Sequence, residues 1–211
     1  MSENRDEPRV KVSYLTMRKV VGILGMLLPI VMVVGTFLFT FQLDLRASIS
    51  AYYDSVMGPA FAGILFVVGW FLFAYKGHDQ RDDKAGDRAC LFAMGVAIFP
   101  HQSATHAWVP WIHFASATLL FLTLAYFSYF LFTETGKDGT PTSEKLWRNK
   151  IYRACGVGIV LFIALIGLYK ALGLEDTGLA ALKPVLVLEA FALWAFGFSW
   201  FVKGETLWKD A

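Results

Sequence analysis

The run VVGILGMLLPIVMVVGTFLFTF, from Val20 to Phe41, holds 22 residues without one charge, and no other feature limits the chain as tightly. A hydrocarbon core of about 30 Å takes roughly 20 apolar residues as helix, because lipid offers the backbone no hydrogen-bonding partner outside its own segment. Pro29 inside the run can bend such a helix without ending it. A secretory leader would carry a shorter apolar stretch and a small-residue cleavage site, so a retained span is expected over 20–41. Similar runs predict spans over 57–75, 108–132, 152–172 and 184–202. In the run over 152–172, Arg153 and Lys170 lie near the ends, where long stems can snorkel. The composition agrees: 56% of the 211 residues are apolar and 16% aromatic, against 17% charged, which places the chain in a membrane class. A net charge of +2 is too small to hold a phosphate backbone, so nucleic acid is excluded as a partner. Cys90 and Cys155 both sit in apolar runs and read as small hydrophobes rather than as a disulfide or metal pair.

A sixth span, third in order, is expected over 86–104. Its clean apolar stretch, Ala89 to Pro100, has only 12 residues, about 18 Å at 1.5 Å per residue. To cross, it must recruit polar neighbours: Asp87 and Arg88 on one side, or His101, Gln102, Ser103, Thr105 and His106 on the other. Ala89, Ala93 and Ala97 recur every four residues, a face that lets another helix approach closely. A central, protein-buried helix is therefore expected.

Charge placement sets the expected orientation. Sixteen of the 19 basic residues fall before the first span, in the second and fourth loops and in the tail, whereas the first, third and fifth loops hold only Arg46, Lys170 and Lys183. Under the positive-inside rule both termini are cytoplasmic, which agrees with an even number of spans. Tyr52, Tyr53, Trp108 and Trp111 are expected at the outer interface, and Tyr75, Trp147, Tyr152 and Trp208 at the inner one. The expected fold is an all-α polytopic membrane helix bundle: one integral domain, 1–211, with six transmembrane helices after a polar cytoplasmic segment over 1–17.

With that orientation the reactive side chains gather outside. His101, His106 and His113 lie there, as does the loop Ser48-Ile49-Ser50-Ala51-Tyr52-Tyr53-Asp54. His113 and Glu189 both lie five residues into their spans, about 7 Å below the outer ends. Ionisable side chains at one level inside a membrane are costly unless they pair or face a shared cavity. The expectation is thus a His113–Glu189 contact, serving either as packing glue or as part of a site. A histidine pair with Asp or Glu is also a ligand set that zinc prefers, with His101 and His113 as metal candidates, although His101, His106 and His113 match no compact metal-binding spacing. His101 and His106 can equally be loop residues, Asp54 a cap for the second span, and Glu175 with Asp176 a solvated turn. Ser50 lacks the Gly-x-Ser-x-Gly elbow of a hydrolase nucleophile. Between Trp194 and Lys203 only Ser199 is polar, which argues against a transport path.

Taken together, SISAYYDS (Ser48–Ser55), GPAFAGILFVVGWFLFAYKG (Gly58–Gly77), AIFP (Ala97–Pro100), HFASA from His113 and EAFALWAFGFSWFVKGE (Glu189–Glu205) resemble a family of small bacterial six-span membrane proteins without assigned activity. That resemblance implies the bacterial inner membrane and marks Ser50, Tyr52, His113 and Glu189 as family features. A fainter likeness is to the alkaline ceramidase and adiponectin-receptor-like membrane hydrolases, which place Ser, His, Asp and a late His pair around zinc. Here Ser50 is followed four residues on by Asp54 instead of His, and no histidine lies in the last two spans.

The expected function is an integral membrane protein with an outer-leaflet polar pocket that binds a membrane lipid or other amphiphile. In it Glu189, His113 and Asp54 form the base or ligand core, and Ser50, Tyr52 and Trp111 contact the headgroup. The alternatives are a zinc-dependent hydrolase of a lipid amide or ester, with His101 and His113 on the metal, and a purely structural bundle or partner subunit.

Overall fold

A computed structural model describes residues 14–77, 80–135, 140–205 and 207. Six α-helices account for most of them: α1 (Tyr14–Thr40), α2 (Gly58–Ala74), α3 (Gln80–Ile98), α4 (Val109–Tyr129), α5 (Ser143–Ala171) and α6 (Pro184–Lys203). Each helix packs on its neighbours in the chain, and α6 closes back onto α1, so the helices form a ring. Among the described residues four segments are long and apolar enough to cross a membrane: 14–40, 109–133, 143–171 and 184–203. α2 is apolar but has 17 residues, and α3 is polar through its first half.

Local chemistry sets the helix ends. Prolines stand in the first turns of α2, α4 and α6, where a missing amide hydrogen costs nothing. Thr142 caps α5 by accepting the Lys145 amide at 3.1 Å. α1 runs unbroken through Pro29. The third helix differs from its expected bounds: it begins and ends six residues earlier than 86–104. Asp82 and Asp83 favour a start in the charged stretch. Pro100 disfavours helical geometry at Phe99 and so ends the helix, which leaves His101 in the loop. α5 likewise starts at Ser143, well before the expected 152.

Small residues close the ring. Ala89, Ala93 and Ala97 are all buried, as their spacing predicts, and Gly86 extends their stripe: a Cβ there would sit 2.5 Å from the Leu72 carbonyl oxygen of α2. On the other side, α1 and α6 meet backbone to backbone at Gly22 and Gly197.

The core is aromatic at one end. Trp200 meets Tyr75, Phe127 and Phe132 edge-to-face at centroid distances of 5.3, 5.4 and 5.1 Å, and Phe132 meets Tyr152 at 5.5 Å. This arrangement corrects part of the expected aromatic belt. Tyr75 and Tyr152 are buried inside the bundle, and so is Tyr52 at the opposite end, whereas Trp108, Trp111 and Trp147 are exposed. Trp208 lies outside the described residues. The buried hydroxyls of Ser128 and Ser199 bond at 2.7 Å and tie α4 to α6 across the interior. Cys90 and Cys155 are free thiols.

Candidate functional site

The polar side chains singled out by the sequence lie at the end of the bundle where α2, α4 and α6 begin. They are organised by a five-residue 3-10 helix, Ser50–Asp54, in the loop between α1 and α2. Such a helix leaves its first amides without internal partners. The Glu189 carboxylate, reaching from α6, accepts the Ile49 amide at 2.6 Å and the Ser50 amide at 3.4 Å. The Leu186 amide in the first turn of α6 returns a bond to the Ala47 carbonyl at 3.1 Å. Donor and acceptor on each segment thus answer the other, and the loop is clamped to α6 by groups 139 and 140 positions apart in sequence.

Further bonds hold the loop helix in place. Ser48 Oγ accepts the Ala51 amide at 3.0 Å, the Tyr53 hydroxyl donates to the Ile98 carbonyl at 3.2 Å, and the Tyr52 hydroxyl donates to the Asp44 carbonyl at 3.1 Å. Burial pushes the Tyr52 phenol above its ordinary value. The capping of α2 expected of Asp54 is not made: no side chain caps this helix, and the Ser55 hydroxyl accepts the Met57 amide just ahead of it at 3.0 Å.

Asp54 faces His101. Its carboxylate lies 3.3 Å from His101 Nδ1, and the His101 ring lies 6.3 Å, centroid to centroid, from that of His113. His113 is fully buried, with Nδ1 2.7 Å from the Phe99 carbonyl. A carbonyl only accepts, so Nδ1 carries a proton, and in the neutral ring Nε2 is then the acceptor. Among the described residues no protein group bonds that buried nitrogen. From the aqueous side inward the order is Asp54, with a side chain 45% exposed, then His101 at 11%, then His113 at zero.

Burial lowers the His101 pKa below its ordinary 6.5, Asp54 opposes that shift, and Arg46 adds to it. A histidine harder to protonate when folded leaves the unfolded chain binding the extra proton as pH falls. The His101 contribution to stability is then complete above about 6.5 and declines below it. Melting temperature is expected to fall between pH 7 and pH 5, and to fall less steeply in His101→Asn; equal slopes would refute this.

The structure therefore joins Asp54, His101 and His113 and sets Glu189 apart. Among the described residues no hydrogen bond or ion pair links His113 with Glu189. Glu189 holds the start of the loop helix, whereas the histidine pair meets Asp54 at its end, and four residue steps at 2 Å rise separate those termini by about 8 Å. The physical reason is that each found a backbone partner in a nearby turn, so neither needs the other to be tolerated. Ser50 contributes its amide, Tyr52 is core, and Trp111 is 74% exposed at the start of α4. His106 is an exposed loop residue, with Nδ1 2.8 Å from the neighbouring Thr105 hydroxyl. Glu175 pairs with Lys170 in a surface turn. Among the described residues no three His, Cys, Asp or Glu side chains converge as a group that could hold a metal ion.

Sequence reasoning missed a second polar feature at the opposite end. A cavity of about 430 Å³ is lined there by Arg18 of α1, Lys145, Arg148 and Tyr152 of α5, and Lys203 of α6. The only advance sign was the excess of basic residues on that side, which the positive-inside rule had already absorbed.

The fold and these two ends define a class: an all-α ring of helices, several of them apolar and long enough to cross a membrane, with a polar cluster at each mouth. In comparisons with known proteins, no family model, no curated protein and no solved structure matches the chain.

Proposed function

We propose that the chain is a six-span protein of the bacterial inner membrane, with the basic end in the cytoplasm, and that it binds the polar head of a lipid or other amphiphile at the Asp54–His101–His113 cluster. The observation that carries this is the graded row of three ionisable side chains ending in a buried imidazole nitrogen without a protein partner. A lone pair of that kind suits a hydroxyl or ammonium donor, and Asp54 at the mouth favours a head bearing positive charge. Exposed apolar side chains along α1, α4 and α5, among them Leu38, Leu122 and Leu161, offer a surface for acyl chains. The likeness of residues 48–55 and 58–77 to small bacterial six-span proteins points to the same setting. Binding is favoured over hydrolysis because, among the described residues, no serine hydroxyl bonds an imidazole and no metal group forms.

Delipidated protein titrated with a short-chain phosphatidylethanolamine, whose primary ammonium carries N–H donors, is the direct test. Asp54→Asn and His113→Phe are each expected to weaken binding about tenfold or more, the worth of one hydrogen bond to a charged or buried group. Asp54→Asn should leave the melting temperature near that of the parent, since its side chain is half exposed. Unchanged affinity in Asp54→Asn and His113→Phe together would remove the proposal.

A further inference from the structure

The first turns of α5 divide their side chains between two faces. Arg148 and Tyr152 turn into the bundle and are buried, whereas Leu146, Trp147, Lys150 and Arg153 are exposed. Those four, with Ser143, recur at steps of three and four residues and so share one stripe of the helix. There they line an open recess of about 370 Å³. The Lys150 ammonium lies 4.3 Å from the centre of the Trp147 ring, a cation–π contact that holds the cation beside the aromatic. The one acid between Ser143 and Arg153 is Glu144, which is not on the wall of the recess.

The stripe continues past Arg153. One turn on, Val157 opens an apolar groove of about 640 Å³ between α4 and α5, walled by Val157 and Leu161 from one helix and by Leu122 and Tyr126 from the other. Gly156 lines its end nearest Arg153, where a Cβ would fall 2.8 Å from that of Tyr129, so the two helices approach closely just below the basic recess. From Gly156 to Ala164 the groove runs for eight residue steps, about 12 Å, most of the roughly 15 Å of hydrocarbon in one leaflet. α5 is also the least buried of the four segments able to span a membrane, with 17% of its apolar window inside the bundle against 33% or more for the others. Its outer face therefore meets whatever surrounds the bundle.

A soluble anion would use only the recess, and a plain hydrocarbon only the groove. Set end to end on one face, they fit a molecule with an anionic head and an acyl tail. A second copy of the chain fits less well: a two-fold contact within one membrane would bring Lys150 and Arg153 against the same cations of the partner, like charge against like. We infer that the α4–α5 face from Trp147 to Ala164 is a binding site for one anionic phospholipid, with its phosphate on Lys150 and Arg153 and an acyl chain in the groove. Trp147 marks the headgroup level, as indole rings do at a membrane interface. The site rests on α5 crossing the membrane, as in the reading above, and is independent of the Asp54 cluster at the other end.

The test places the full-length protein in nanodiscs of mixed phosphatidylcholine and phosphatidylglycerol and identifies the lipid it retains by native mass spectrometry. Phosphatidylglycerol is expected to be retained in preference to phosphatidylcholine. Lys150→Gln combined with Arg153→Gln should reduce that preference about tenfold or more, at about fivefold for each basic residue near an anionic headgroup. Lys84→Gln combined with Arg88→Gln removes equal charge from exposed positions of α3 at the same end, and is expected to leave the preference intact. Val157→Trp fills the groove at an exposed position, and should lower retention several-fold with a melting temperature near that of the parent. No preference in the parent, or an equal loss in the two double variants, overturns the inference, and so does a dimer that covers this face and carries no phosphatidylglycerol. Unchanged retention in Val157→Trp overturns the placement of the chain. Protein left outside the discs overturns the membrane reading as well, whereas protein inside them without a preference overturns this site alone.

Discussion

Gly22→Leu is expected to prevent the ring from closing. A Cβ built on Gly22 falls 2.6 Å from the Gly197 carbonyl oxygen and 2.6 Å from the Phe201 amide nitrogen, and one built on Gly197 falls 2.5 Å from the Gly22 oxygen. These obstacles are backbone, so no rotamer change relieves them, and α1 must separate from α6 along its length. Overpacking a flexible core costs about 1–3 kcal/mol, and here the cost should exceed that range because main chain must move. Separation would also open the contact between Gly25 and Phe196. The measurement is the yield of monodisperse protein in mild detergent and its melting temperature. Gly167→Ala is the control: nothing lies within 4 Å of its added methyl group, and it sits within α5. That variant should be neutral or more stable by about 0.5–1 kcal/mol, the usual gain of alanine over glycine in a helix. A Gly22→Leu protein that melts like the parent would show that α1 and α6 do not meet at this point.

Glu189→Leu is expected to release the first loop. The Glu189 carboxyl group holds the Ile49 and Ser50 amides at 2.6 and 3.4 Å, and leaving a buried donor unpaired costs about 1–3 kcal/mol. Leucine is close in size and more apolar, so loss of packing cannot account for the effect. Glutamine keeps an acceptor oxygen and should recover most of the stability. Hydrogen exchange locates the effect: amides of residues 49–54 should exchange at least tenfold faster in Glu189→Leu, while those in the middle of α4 and α5 keep their protection. Uniform acceleration across all six helices would mean that Glu189 supports the bundle as a whole instead of this loop. Because the Asp54–His101 pair hangs on the far end of the same loop helix, Glu189→Leu should also weaken amphiphile binding, which makes Glu189 a positioning residue.

The helical class was legible from the runs of apolar residues, because a helix long enough to cross lipid must declare itself in consecutive residues. Ala89, Ala93 and Ala97 announced a packed face by spacing alone, and all three are buried. Part of the site was legible too. Asp54, His101 and His113 are rare polar types in an oily chain, and they do gather at one end. The partner of Glu189 was not legible. An amide hydrogen is present at nearly every residue, so nothing in the letters marks Ile49 and Ser50 as the donors that a carboxylate about 140 positions away will find. The aromatics at helix ends were ambiguous for a similar reason: a tyrosine at position 75 or 152 suits a lipid interface and a bundle interior equally, and only the inward rotation of its helix chose the interior.

Local chemistry determined the helices, their ends at Pro100 and Thr142, and the uneven division of charge between the two mouths. Such properties depend on residues within one or two turns of each other. Tertiary structure alone decided that α6 closes on α1, that the loop helix docks on Glu189 rather than letting it pair with His113, and that four dispersed cations share one cavity. Those outcomes depend on which helix faces turn toward one another, and that is settled by backbone approach at glycines and by long-range satisfaction of polar groups, neither of which has a period along the chain.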